Sequence, residues 1–468
     1  MLISLVRVKV LALLLGPAGV GVMGLMMNLM TTTSQLMGLG IGSSGTKEIG
    51  ASVGRQDTQR LDTVRRALFW GTMTLGSLGG ASMFLLREVI AERLFGDPIM
   101  ANAVGWLAMG VALSVGASAQ TALIAGMGQI KAVAKVQVVA GLISTVAGLA
   151  FVWALGMDGV IFHVIATPVT TFLFGHYFVA KLPRDFTGES SLNAVATEFK
   201  ALAALGFSMM VSALVTSLSV LLVRSFVQRE VSAEALGYFQ AAWGLSMMYL
   251  SFVLAVLGTD FYPKLAGMFH DKAQVSSFIN EQTKLALLMS APFMLVLMGF
   301  LPWIVPLLYS SEFDSAVDIL RWMIIADVIK IATFPLRFVI IVAGRGAVFI
   351  ITELSSAMVF VLFAWLLIKY FGVEAVGLAY LARYIVYLPI IYYFARTLSG
   401  LRFNASVVTL FLSLLAALTC LFLFSSYGDA TSAVFCVAML CVFCGGVYLR
   451  SSRRPQPNSI GNTMRRFF

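Results

Sequence analysis

Apolar runs of membrane-crossing length recur along the whole chain. They fall at about residues 2–15, 18–42, 67–86, 101–126, 137–155, 159–180, 203–227, 236–259, 285–308, 319–342, 349–369, 375–395, 405–426 and 431–449. All but the short first run approach or exceed the roughly 20 residues a helix needs to span the hydrocarbon core. The pattern predicts an all-α polytopic membrane protein with about fourteen transmembrane helices. The polar stretches between runs are unequally charged. Of the 32 Lys and Arg residues, 21 lie in alternate connections and the C-terminal tail, 4 (Arg87, Arg93, Arg229 and Lys369) in the opposite connections, and 7 inside runs. Basic loops stay on the cytoplasmic side. The even-numbered connections and the C-terminus are therefore expected to be cytoplasmic, which predicts a multi-pass protein of a cytoplasmic membrane.

The pattern also repeats. AGVGVMGL at 18–25 overlays EALGYFQA at 234–241, and GIGSSGTKEIGA at 40–51 overlays VLGTDFYPKLAG at 256–267, both at an offset of 216. AGMG at 125–128 overlays AGRG at 343–346, and Gly159 falls on Gly377, both at 218. Helices 1–6 and 7–12 then form two lobes. An even number of helices per repeat makes the repeats parallel, related by an axis along the membrane normal, with substrate binding expected between them. The expected organisation is an N-terminal lobe at 1–181, a linker at 182–202, a C-terminal lobe at 203–400, two further helices at 401–450 and a basic tail at 451–468. The linker places Leu192, Val195, Ala196, Phe199 and Leu202 on one helical face, so it reads either as an amphipathic helix on the cytoplasmic surface or as an ordinary connection. At offset 216 the first helix would begin about a dozen residues before Met1. A short helix, a different start and a cleaved signal peptide all fit that observation, the last worst because no A-x-A-like site follows.

Composition sharpens this picture. Of 468 residues 59% are hydrophobic and 12% charged, against about 25% charged in soluble proteins, so a large soluble enzyme is excluded. The net charge of +10 sits where a membrane protein puts it, which argues against nucleic acid and makes the tail a solvated or lipid-facing segment. Cys441 and Cys444 are spaced CxxC but lack companion ligands, so helix packing is the expected role and no metal or cofactor is implied.

Residues 319–342 stand out. Asp327, Lys330 and Arg337 share one side of this helix. Three ionisable groups at a helix centre cost about 8–10 kcal/mol, while fourteen Ile, Leu, Val and Phe return about 4–8. Such a helix needs protein neighbours and a polar or wet cavity on that face. The other intramembrane cations are Arg7, Lys9, Arg224, Arg321 and Arg383, and the deep acids are Asp327 and Glu353. A cavity lined by these is net positive and suits a pyrophosphate or acidic sugar rather than a cationic drug. Lys330, Arg337, Arg383, Arg224 and Arg7 are the candidate substrate-binding residues. Arg7 is favoured over Lys9, which lies about 200° away on the same helix. Asp327 and Glu353 are the candidate ion-coupling acids, with H+ or Na+ as the ion. The bland alternatives are an Asp327–Lys330 pair at i, i+3 and a Glu353 pair with Arg345 or Lys330. His163 and His176 read as packed side chains. Pro168, Pro292, Pro302, Pro306, Pro335 and Pro389 can kink their helices.

GPAGVGVMGL followed by GLGIGSSGTKEIGA, with LGTDFYPKLA, LLYSSEFDSA, ADVIKI and YIVYLPIIYYFAR in that order, resembles the Wzx-type O-antigen and enterobacterial common antigen flippases. The match covers about residues 5–400. It implies the multidrug/oligosaccharidyl-lipid/polysaccharide exporter fold and alternating access. It implies movement of an undecaprenyl-pyrophosphate-linked glycan to the outer leaflet of a bacterial inner membrane, with membrane lipid around it and a polymerase and glycosyltransferases as pathway partners. The short first helix departs from the family. A cation-coupled multidrug antiporter of the same superfamily would want an acidic cavity instead. A glycan polymerase or ligase would want a sizeable external loop and a nucleophile–base set, and neither is present in the sequence.

Overall fold

The computed structural model describes residues 2–182, 191–425, 428, 431 and 433–441, and these are helical with no strands. The basic tail, Cys444 and much of the last apolar run lie outside the described residues. The helices are α1 (Leu2–Gly38), α2 (Ile41–Gly54), α3 (Thr58–Leu85), α4 (Arg87–Ile90), α5 (Ala101–Gly126), α6 (Ile130–Leu155), α7 (Gly159–Ala180), α8 (Leu192–Glu230), α9 (Ala233–Met268), α10 (Lys272–Leu308), α11 (Ala316–Val342), α12 (Gly346–Phe371), α13 (Glu374–Ser399) and α14 (Ala405–Ser425). Among the described residues eight stretches are long and apolar enough to cross a membrane, and one of them, Ile130–Ala180, holds both α6 and α7. The first two predicted runs meet inside α1, at a break where Gly16 takes φ 61 and ψ −175, just before Pro17.

The repeat is written into the backbone. Left-handed Gly128 and Gly156 close α5 and α6, and left-handed Gly344 and Gly372 close α11 and α12, each pair 216 apart. The later part of the repeat therefore keeps the offset of the earlier part, and the 218 read from the AGMG and AGRG strings is a two-residue slip. Gly recurs at these C′ positions because only it enters the left-handed region without strain. Asp57 caps α3 through the N–H of Arg60, and Asp271 caps α10 through those of Ala273 and Gln274. The latter two N–H groups, Gln274 first, hold the Asp271 carboxyl below the ordinary aspartate range. Packing follows the same rule: α7 lies on α5 and α6, and α13 lies on α11 and α12.

The lobes meet where α1 crosses α9 and α8. A Cβ on Gly21 would meet the backbone of Gly237, and one on Gly237 would fall on the Pro17 carbonyl. Gly21 and Gly237 are themselves 216 residues apart, so the pseudo-twofold axis runs beside this contact. Gly237→Val should push the lobes apart and cost about 3 kcal/mol or more, as overpacking against backbone leaves nothing to rotate aside. A thermal unfolding scan in detergent checks this, with Gly267→Val, where a Cβ meets open space, as the neutral control.

At the end bearing the basic connections, α2 packs on α3, α5 and α8. A second small core there joins Ile41, Ile49, Leu61, Val64, Leu68 and Leu123 to Val195 and Leu202 of α8. The Phe199 ring occupies the space beside Gly71. The predicted surface helix is thus the first turns of α8, and from Val195 onward its apolar face meets protein, with Leu192 left exposed. Glu48, Arg60 and Glu198 tie the same elements together at 2.9 and 3.8 Å.

α11 is the most enclosed long helix of the C-terminal lobe, with 18 of its 27 residues buried. It packs on α9, α10, α13 and α14. Being apolar nearly all round, it is stable inside protein and need not face lipid. That placement resolves the insertion cost of its three charges.

Candidate functional site

Asp327, Lys330 and Arg337 do not pair with one another, whereas Arg321 and Asp318 near the start of α11 do, at 3.0 Å. Asp327 is fully buried and accepts hydrogen bonds from three hydroxyls: Ser246 at 2.7 Å, Tyr380 at 3.0 Å, and Tyr249. A carboxylate with three donors is satisfied without a cation. Lys330 donates to the Tyr380 hydroxyl at 2.9 Å and lies 3.7 Å from the Met247 sulfur. The Tyr380 hydroxyl therefore stands between Asp327 and Lys330, and the alternative of a direct i, i+3 pair gives way to a relay through α13.

Arg383 is buried, and its Nε donates to Ser356 at 2.7 Å. Its guanidinium lies 5.6 Å from the Phe360 ring centre and 5.4 Å from that of Tyr384. Lys330 approaches the same Tyr384 ring at 6.0 Å. One aromatic ring is thus shared by two cations, neither of which holds a carboxylate among the described residues. Arg337, by contrast, pairs with Glu353 at 3.1 Å, and Tyr387 donates to the same Glu353 oxygen at 2.7 Å. Glu353 consequently bonds neither Arg345 nor Lys330. Across the cluster, three cations face two carboxylates, leaving one net positive charge.

The remaining candidates lie apart. Arg224 is buried on α8 at the seam between lobes, where it donates to the Gly24 carbonyl and stacks 5.7 Å from the Phe239 ring. Arg7 stands within electrostatic range of His163 on α7. Lys9 donates to the Pro306 carbonyl at 2.9 Å. Cys420, Cys436 and Cys441 are free thiols, and no cluster suited to a metal occurs among the described residues.

Sequence reasoning missed Ser246, Tyr249, Ser356 and the tyrosines of α13. Tyr380, Tyr384 and Tyr387 recur at i, i+4 and i+7, the spacing of one helical face, and this was the available signal. Their rings contact in order, 5.0 and 6.3 Å between centres. At offset 216, Asp327, Lys330, Arg337, Glu353 and Arg383 correspond to Val111, Ser114, Thr121, Gln137 and Thr167. The N-terminal lobe therefore keeps the frame of the site and none of its charge.

Known proteins share this frame. The chain is 25% identical over 394 residues to the lipid III flippase of Escherichia coli (strain K12), covering 81% of this chain and 90% of that protein. The lipid III flippase of Shigella flexneri matches equally. Among solved structures, an inward-facing multidrug resistance MATE family transporter of the MOP superfamily superposes with a TM-score of 0.72 at 17% identity, over 85% of this chain and 94% of that one. The lipid II flippase MurJ in an inward closed conformation superposes at 0.67 and 12% identity, over 93% and 98%. The fold is the one these two structures share. The model of the family described as polysaccharide biosynthesis protein matches residues 10–318. A chain that carries this family's pattern over most of its length, on a two-lobed helical frame with apolar helices long enough to cross a membrane, belongs to the polysaccharide biosynthesis protein family.

Proposed function

We propose that this protein moves an undecaprenyl-pyrophosphate-linked oligosaccharide from the cytoplasmic to the outer leaflet of a bacterial inner membrane. The observation that supports this most is the pair Lys330 and Arg383, both beside the Tyr384 ring and without carboxylate partners among the described residues. Their charge is free for an anionic head that sheds its water on entering the site. The flippases named among the relatives act on lipid-linked precursors, and that class of substrate has this chemistry. The polyprenyl tail stays in lipid while the head passes between the lobes. Alternating access is the motion open to two lobes that meet along α1, α8 and α9, with close backbone approaches at Gly21 and Gly237 toward one end and at Gly40 and Gly206 toward the other. The basic end faces the cytoplasm in this reading, as does the C-terminus. Asp327 and Glu353 are the acids available to couple H+ or Na+, and Arg224 and Arg7 offer charge nearer the far end. A multidrug antiporter on the same frame is disfavoured by the net positive cluster.

Lys330→Met and Arg383→Met should each lower transport at least tenfold, since one charge-assisted hydrogen bond is worth about 1.5–3 kcal/mol. Lipid-linked repeat units should then accumulate on the cytoplasmic leaflet, measured by leaflet-selective labelling in spheroplasts. Normal surface glycan in both variants at normal expression would sink the proposal. Drug resistance conferred on a sensitive host would favour the antiporter instead.

A further inference from the structure

Two hydrogen-bonded contacts at the end opposite the basic connections are related by the repeat. In the first, Lys9 donates to the Pro306 carbonyl at 2.9 Å. Pro306 lies in the last turn of α10, and its intrahelical partner would be the N–H of Ser310, beyond the end of the helix. In the second, Ser225 on α8 donates to the Leu94 carbonyl at 3.1 Å, with the Arg93 carbonyl at 3.4 Å. Arg229 also donates to the Arg93 carbonyl, at 3.3 Å. Arg93 and Leu94 belong to a π turn, Ala91–Phe95, that ends the third helix of the N-terminal lobe. The residue four beyond Leu94 is Pro98, which has no N–H to offer. Both acceptors are therefore carbonyls that their own helices leave unpaired.

The donors are equivalent as well. Lys9 and Ser225 are 216 residues apart, the offset of the whole repeat. Gly16, the break in α1, likewise falls on Ser232, the cap of α9. So the first helix of each lobe reaches across to the third helix of the other and satisfies its exposed end. The same end carries the Gly21–Gly237 backbone contact. Helix C-termini hold partial negative charge, so an ammonium or guanidinium is well placed there.

We propose that these two crossed caps are the latches that hold this end shut, and that both must break before the cavity opens on that side. This rests on the alternating-access part of the reading above, though not on what is carried. The latches are unequal. Lys9 brings a full charge from within the membrane span, whereas Ser225 is a buried neutral hydroxyl helped by exposed Arg229. The Lys9 latch should therefore dominate.

The test measures distance across that end by double electron–electron resonance. Spin labels go on Ile99→Cys and Tyr370→Cys, both strongly exposed and one in each lobe, with the native cysteines replaced by alanine. The purified full chain is used without substrate, so the outcome is independent of the cargo. Lys9→Met should raise the open-to-closed ratio about tenfold and Ser225→Ala about threefold, from the usual worth of charged and neutral hydrogen bonds. Lys9→Arg, which can still donate, should keep the closed distribution. Ser225→Ala is a small change that tests the idea even if Lys9→Met folds poorly. An unchanged distribution in Ser225→Ala and Lys9→Met, or an equal shift in Lys9→Arg and Lys9→Met, overturns the proposal. If the latches hold but spheroplast transport of lipid-linked glycan is absent, the cargo assignment fails and the latches stand.

Discussion

Asp327→Ala should destabilise the C-terminal lobe by about 3–5 kcal/mol, the range for removing one member of a buried charged network. The carboxylate is the common acceptor for Ser246 and Tyr249 of α9 and Tyr380 of α13. It therefore joins three helices through one side chain. Alanine strands three buried hydroxyls at once and leaves Lys330 without the nearby negative charge. Tyr380→Phe removes a single donor and should cost only about 0.5–1.5 kcal/mol. It also breaks the relay to Lys330, so its transport loss should exceed its stability loss. Thermal unfolding of the purified variants beside a transport assay separates the two. Asp327→Asn sharpens the reading, because an amide keeps the shape and one acceptor oxygen. Wild-type stability with lost transport in that variant points to ion coupling. Wild-type stability in Asp327→Ala would show that the network is not structural.

Arg337→Met is the second large effect, and it should be repaired by a second change. Glu353 is buried, and its partners are Arg337 and Tyr387. Removing the guanidinium leaves a buried carboxylate with one hydroxyl donor, for which about 3–5 kcal/mol is typical. Arg337 is itself 36% exposed, so solvent weakens the pair and the lower figure, about 3 kcal/mol, is expected. Glu353→Gln removes the charge and keeps a carbonyl oxygen for Tyr387. The double variant Arg337→Met/Glu353→Gln should therefore recover most of the loss, as a double-mutant cycle of melting temperatures would register. If it also restores transport, Arg337 is a structural partner and drops out of the head-binding set. If stability returns and transport does not, Arg337 touches the cargo.

How far the site could be read from the chain depended on the range of each interaction. That α11 is costly was legible, because a charge in an apolar run is a local fact. That Lys330 would face Asp327 on one side was legible from helical geometry. The tyrosine that separates them comes from α13, fifty residues on, and nothing at i+3 announces it. For Glu353 the sequence offered Arg345 or Lys330 as a partner, and the packing of α11 against α12 and α13 supplies Arg337 instead. The glycine strings exposed the repeat, yet the offset of the later two slipped by two. The strings match several ways because small residues abound, whereas positive φ marks one glycine in each.

The sequence by itself determined the class of molecule: helices that can cross a membrane, two related lobes, and charge gathered in the second. Lipid demands long apolar helices with internally paired backbones, so hydropathy alone carries that information. The tertiary structure decided which charges are spent and which are free. Asp327 is satisfied by hydroxyls, Arg337 and Glu353 satisfy each other, Lys9 caps a neighbouring helix, and Lys330 and Arg383 retain charge beside Tyr384. Those outcomes follow from side chains brought together by helix packing across tens to hundreds of residues, which no local pattern encodes.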